Sequence, residues 1–146
     1  MKVLFVSPEI SPFARTGGLG EVVGSLPFAL KRAGIDVRVL CPRHRCCKSL
    51  PIRILKKEIT FKHKSKDITS KLGVLSDKKY PIPIYFLIND HLFDREDIYA
   101  DQNGNYPDNS LRAFVLSHAA CELEKVTRWK PDILHALSLI HISEPT

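Results

Sequence analysis

The residues whose types and spacing could do chemistry gather near the start of this 146-residue chain, in Arg15-Thr-Gly-Gly-Leu-Gly-Glu21. Gly17 and Gly18 lack the Cβ atoms that would keep an anion from the backbone. Arg15 brings a cation to the same mouth, and the acid Glu9 precedes it. The chemistry this suggests is the binding of a phosphate. A glycine turn between strand and helix also serves close packing alone, and the glycines by themselves do not choose between the two.

The elements that must position these residues follow from hydrophobic spacing. Residues 3–7 are apolar without alternation, as in a strand buried on both faces. Leu19, Val22, Val23, Leu26, Ala29, Leu30 and Ala33 recur at three- and four-residue intervals, which predicts one helix over 19–33. Pro27 inside it predicts a bend, and Gly34 a C-terminal cap. A second buried strand is predicted over 36–41, making strand, glycine loop, helix and strand. In such sheets ligands collect beyond the carboxyl ends of the strands, where Glu9 stands. The loop is neither a Walker A sequence nor the dinucleotide G-x-G-x-x-G, because Gly18, Gly20 and Gly24 are spaced one residue too far. No acid ends the second strand to hold a ribose, so a nicotinamide-binding reading is weak.

The run Lys2-Val-Leu-Phe-Val-Ser-Pro-Glu9 and the run from Pro12 through Thr16-Gly-Gly-Leu-Gly-Glu-Val-Val-Gly-Ser-Leu-Pro27 resemble the start of bacterial glycogen synthases and plant starch synthases. Those enzymes carry Lys-Thr-Gly-Gly-Leu at this place, followed by an acidic residue, Val and Leu-Pro. Arg15 stands where the family has lysine; it keeps the charge but is a wide, planar donor. The resemblance spans residues 1–136. Phe93-Asp-Arg95, Tyr99 and Asp108-Asn-Ser-Leu-Arg112 reproduce most of a second family element, with Ala113 where the family has phenylalanine. Trp129-Lys-Pro-Asp-Ile-Leu-His-Ala136 is similar to the turn and strand that deliver the first histidine of a His-Ala-His-Asp-Trp run.

The resemblance implies an α/β fold: the Rossmann-like N-terminal half of a GT-B glycosyltransferase, incomplete, with a small excursion of β strands. It implies a retaining glucosyltransferase moving glucose from ADP-glucose or UDP-glucose to the non-reducing end of an α-1,4-glucan. The partners would then be a sugar nucleotide and an α-glucan acceptor, with no cofactor and no metal. Glu9 and His135 are the implied catalytic positions, with Glu9 ordering the loop or a sugar hydroxyl and His135 at the cleft floor. Arg15, Thr16, Gly17, Gly18, Tyr99 and Asp108 are the implied substrate-binding positions. Two other readings stay open: a related two-domain glycosyltransferase with a different acceptor, and a non-enzymatic glucan- or nucleotide-binding module.

Composition bounds the rest. With 44% hydrophobic and 26% charged residues, the chain has the make-up of one globular domain. No run approaches a membrane span and no signal-peptide cleavage pattern precedes the first strand, which predicts a cytoplasmic protein without membrane partners. Cys41, Cys46, Cys47 and Cys121 have neither metal-ligand nor disulfide-framework spacing. Between residues 43 and 79, Lys and Arg outnumber Asp and Glu twelve to three. Only Phe61 interleaves that charge before Tyr80, so a nucleic-acid partner is not expected. The basic run reads as a solvated face, or as electrostatic steering of an anionic substrate.

Short antiparallel strands are predicted at 52–55, 59–62 and 71–75, then a buried strand ending near Asn89. A long polar loop is expected over 89–109, with Asp108 or Asn109 capping a helix over 110–127. On that helix, Leu111, Phe114, Val115, His118, Ala119, Glu122 and Val126 trace one face, Leu116, Ala120 and Leu123 widen its apolar stripe, and His118 is expected at the core edge. After Ala136 the family pattern ends; residues 137–146 read as the translation of a sequencing-library adapter. The expected domain therefore covers residues 1–136, and the chain by itself is expected to be inactive.

Overall fold

A computed structural model describes residues 1–137. Strand β1 (Lys2–Val6) pairs in parallel with β2 (Asp36–Pro42), and β2 with β5 (Ile84–Ile88). The outer side of β1 takes a further parallel strand, β8 (Ile133–Ala136), in the register Phe5↔His135. Two antiparallel strands, β3 (Ile52–His63) and β4 (Lys66–Leu75), extend the other side of the sheet, in the order β3-β4-β5-β2-β1-β8. This is the expected α/β arrangement with its excursion of β strands.

Side-chain alternation along the parallel strands divides the core into two layers. Val3, Phe5, Val39, Cys41, Ile84 and Phe86 face the first two helices, α1 (Gly18–Val23) and α2 (Leu26–Arg32). Leu4, Val6, Leu40, Tyr85 and Leu87 face the long helix α4 (Asn109–Thr127). Apolar strands with no polar alternation are what a sheet covered on both faces requires.

The single helix expected over 19–33 is two. The backbone breaks at Gly24-Ser25, where a Cβ on Gly24 would lie 2.8 Å from both the carbonyl oxygen and the Cβ of Ser11. Ser11 therefore requires a glycine at this position, and Pro27 has no N–H to carry the helix on to the Val23 carbonyl. Pro27 is not an interior kink; it occupies the first turn of α2, where a missing N–H costs nothing. Gly34 has φ +93°, the left-handed conformation expected of a C-terminal cap.

The segments 52–55 and 59–62, expected as separate strands, form one strand whose pairing with β4 shifts between Ile54 and Glu58, a bulge. Because Lys71 pairs with Ile88 while His63 still pairs with Lys66, the β3–β4 hairpin continues past the carboxyl end of β5. The polar stretch 89–109 is not one loop: it holds a helical turn, α3 (Asp90–Phe93), and a minimal hairpin of β6 (Ala100–Asp101) and β7 (Gly104–Asn105). The buried face of α4 is Arg112, Val115, Leu116, Ala119, Ala120 and Leu123. Phe114, expected on that face, is 56% exposed and lies against Phe61, as does His118. No helix among the described residues is long and apolar enough to cross a membrane. Of the tail expected as a translated adapter over 137–146, residues 138–146 lie outside the described residues; Leu137 donates its N–H to the Val6 carbonyl.

Candidate functional site

Strand β1 delivers the chain to the carboxyl edge of the sheet, and three contacts then fix its path. Ser7 donates its N–H to the Leu40 carbonyl, Ile10 and Ala14 exchange backbone hydrogen bonds, and Ser11 donates to the Gly20 carbonyl. Residues 8–14 therefore form a tight bend fastened to α1, leaving Arg15, Thr16, Gly17 and Gly18 exposed at its rim.

Glu9 lies beneath this rim with no exposed surface. Its Oε1 accepts the Thr16 N–H at 2.8 Å; its Oε2 accepts the Thr16 hydroxyl at 3.1 Å and the Tyr99 hydroxyl at 2.5 Å. A buried carboxylate is tolerated only when its oxygens are so occupied. Burial, reinforced by the bond to Glu9, pushes the Tyr99 phenol well above its ordinary range, so the hydroxyl stays protonated and donates. The neighbouring Pro8 carbonyl accepts from His44 Nε2 at 2.7 Å. A carbonyl can only accept, so the proton sits on Nε2. Burial drives the His44 pKa down to about 4, against the opposing pull of that hydrogen bond.

Arg15 reaches across α1 to form an ion pair with Glu21, both side chains at least half exposed. Its stem lies over Gly20, where an added Cβ would stand 2.9 Å from Arg15 Cγ and 3.2 Å from Glu9 Oε1. Gly20 is therefore the glycine that closes the loop onto its floor. Gly17 and Gly18 face open space, with no atom within 4 Å of an added Cβ.

A second polar layer stands behind Tyr99. Its carbonyl accepts from the Asn109 amide and the Tyr106 N–H, each at 3.0 Å. Asn109 in turn accepts from Arg112 at 2.7 Å, and Arg112 donates Nε to the Leu92 carbonyl at 2.7 Å. Arg112 is buried between the rings of Phe93 and Tyr106. Asp108 takes a bidentate pair from Arg95, at 2.6 and 2.7 Å, and makes no side-chain cap to α4. That pairing holds the Asp108 carboxyl below its ordinary range. His135 sits in register with Phe5, its ring stacked 4.6 Å away on an exposed edge strand.

The fold thus gathers Glu9, Thr16 and Tyr99 into one hydrogen-bonded set, with Arg15, Gly17 and Gly18 exposed above it. Asp108 belongs to the layer behind, and His135 to the neighbouring strand β8. His44 was missed by sequence reasoning, since it lies in a basic run with no pattern to mark it. Arg112 was visible only as a member of a resembling motif, and Asn109 as a member of it and as a candidate helix cap. Two shallow grooves, of 330 and 520 Å³, run between β3 and α4, away from the glycine loop.

The family model described as the starch synthase catalytic domain matches residues 2–136. Glycogen synthase 2 of Geobacter sulfurreducens is 36% identical over 135 residues, a match covering 92% of this chain and 28% of the relative. The glycogen synthase of Thermotoga maritima is 36% identical over 148 residues, with the same two coverages, 92% and 28%. Among solved structures, the catalytic domain of starch synthase IV from Arabidopsis thaliana, bound to ADP and acarbose, superposes with a TM-score of 0.75 at 28% identity. It is covered over 27% of its length by 92% of this chain. The chain spans little more than a quarter of the length of these relatives.

Proposed function

This chain belongs to the family of the starch synthase catalytic domain, and from that premise we propose that it is the acceptor-side half of a glucosyltransferase cleft. The reaction is transfer of glucose from ADP-glucose, or UDP-glucose, to the non-reducing end of an α-1,4-glucan. The observation that carries this reading is the exposed Arg15–Gly18 rim held on a buried Glu9. The ADP-bound relative supports a nucleoside diphosphate as the group at that rim.

Breaking the bond between glucose and nucleotide leaves negative charge on the departing phosphate. The Arg15 guanidinium and the Gly17 and Gly18 amides stabilise that charge, and they do so best if already in place before it develops. Arg15 is free to engage it because its pair with Glu21 is exposed on both sides and weak in water. A bidentate phosphate contact competes well with such a pair. Glu9 acts from below by holding Thr16, while His135 lines the cleft floor from β8. Tyr99 and Asp108 form the wall behind the rim. With cation and amides meeting the phosphate, no metal is required of this half.

The test is a full-length relative whose N-terminal domain is replaced by residues 1–136 of this chain. Incorporation of labelled glucose from ADP-glucose or UDP-glucose into glycogen is the expected result. A folded chimera that binds ADP yet elongates no glucan overturns the reading.

A further inference from the structure

We propose that Tyr99 is a positioning residue for the glycine loop: through Glu9, it latches the Thr16 turn to the segment between α3 and α4. This deepens the proposed function, since it rests on the loop being the phosphate-binding rim.

The argument begins with the Glu9 carboxylate, which joins three stretches of chain. Thr16 lies seven residues away and Tyr99 ninety. Thr16 is held to the domain floor through its N–H and its hydroxyl, both directed at Glu9. The Tyr99 hydroxyl takes the remaining close position on Oε2, so it is already occupied and does not point free into the cleft. Without this donor, Oε2 would be a buried oxygen sharing one weaker contact at 3.1 Å, and the carboxylate would be free to swing.

Tyr99 can hold Glu9 only if it is itself fixed, and its backbone is. Asn109 and the Tyr106 N–H pin its carbonyl, Arg112 pins Asn109, and Arg112 is anchored to the Leu92 carbonyl. The path therefore runs from the rim to the first turn of α4, an element buried along the opposite layer of the sheet. The segment between α3 and α4, polar and lacking long elements, is thereby the strut of the loop. Tyr99 acts through another residue and is not itself catalytic.

Amide hydrogen exchange followed by NMR on the 146-residue chain tests this. In Tyr99→Phe, the Thr16 amide is expected to exchange faster by about tenfold or more, while the Phe5 and Val39 amides keep their wild-type rates. Asn109→Ala, which removes one of the two donors on the Tyr99 carbonyl without touching Glu9, is expected to move Thr16 in the same direction by less. Unchanged Thr16 exchange in folded Tyr99→Phe overturns the proposal, as does an equal acceleration of all amides. Should Tyr99→Phe fail to fold, the same two outcomes in Asn109→Ala decide. A parallel arm adds ADP to the wild-type chain and follows Gly17 and Gly18. Absence of an ADP effect there counts against the phosphate reading alone, because the Thr16 comparison needs no ligand.

Discussion

Arg15 carries the sharpest chemical consequence of any single side chain. Its ion pair with Glu21 is solvent-exposed, so bracing the loop is worth no more than about 1 kcal/mol. As a preorganised donor to a leaving phosphate, its loss is worth far more. In the chimeric enzyme, Arg15→Ala is expected to lower kcat/KM by roughly 10²–10³. Arg15→Lys, restoring the residue usual in the family, is expected to be much milder. Kinetics and melting of the three proteins decide: an alanine variant that melts early but turns over normally removes Arg15 from the site. His44 supplies a second prediction. Its folded pKa of about 4 lies below the ordinary 6.5, so the native state binds fewer protons than the unfolded chain between those values. Stability contributed by neutral His44 is full above about pH 6.5 and is lost as pH falls toward 4. From pH 7 to pH 5 the loss is expected to be about 2 kcal/mol, read from urea midpoints. His44→Gln should flatten that dependence; parallel slopes for the two proteins would refute the assignment.

At the scale of elements, the glycines of the strand-to-helix turn differ in what surrounds them. Gly20 and Gly24 are demanded by packing: an added Cβ meets the Arg15 stem and Glu9 at the first, and the Ser11 backbone at the second. Gly17 and Gly18 have open space before them. Gly24→Ala is therefore expected to destabilise the domain by about 1–3 kcal/mol, because a backbone carbonyl cannot step aside as a flexible side chain can. Gly17→Ala and Gly18→Ala are expected to leave stability within about 0.5 kcal/mol of wild type. Both should nonetheless weaken ADP binding in the chimera, where a methyl group stands between the phosphate and the amides. Chemical denaturation and ADP titration on the same variants separate the two roles. Equal destabilisation by all three substitutions would show that the rim is merely packed.

The molecule as a whole presents the carboxyl ends of β1, β2, β5 and β8 along one edge, with the β3–β4 hairpin projecting past that edge on one side. Glycosyl transfer needs donor and acceptor held in register between two walls. On the proposed reading this chain, spanning about 28% of its relatives' length, would supply one wall. The purified 146-residue chain is accordingly expected to bind ADP without turning over ADP-glucose or UDP-glucose. Turnover above a boiled control would contradict the half-cleft reading.

Local spacing was enough to predict β1, the glycine loop, β2, β5 and the long helix α4, because buried parallel strands and an amphipathic helix leave period and composition in the chain itself. The motif residues from Glu9 to Glu21 likewise carried the family resemblance without any coordinates. Other features were decided by contacts between distant parts. That the bend expected at Pro27 is a full break after Gly24, with Ser11 packed too close for a Cβ there, is something no periodicity reports. On α4 the unexpected member of the buried face is Arg112, a charged residue that buries because Leu92, Phe93, Tyr106 and Asn109 together receive it. Above all, sequence could place Glu9 at a strand's carboxyl end, but not its partners. That the carboxylate meets Thr16 and Tyr99 follows from a chain reversal of ninety residues, and only the folded molecule brings those three polar groups within hydrogen-bonding distance.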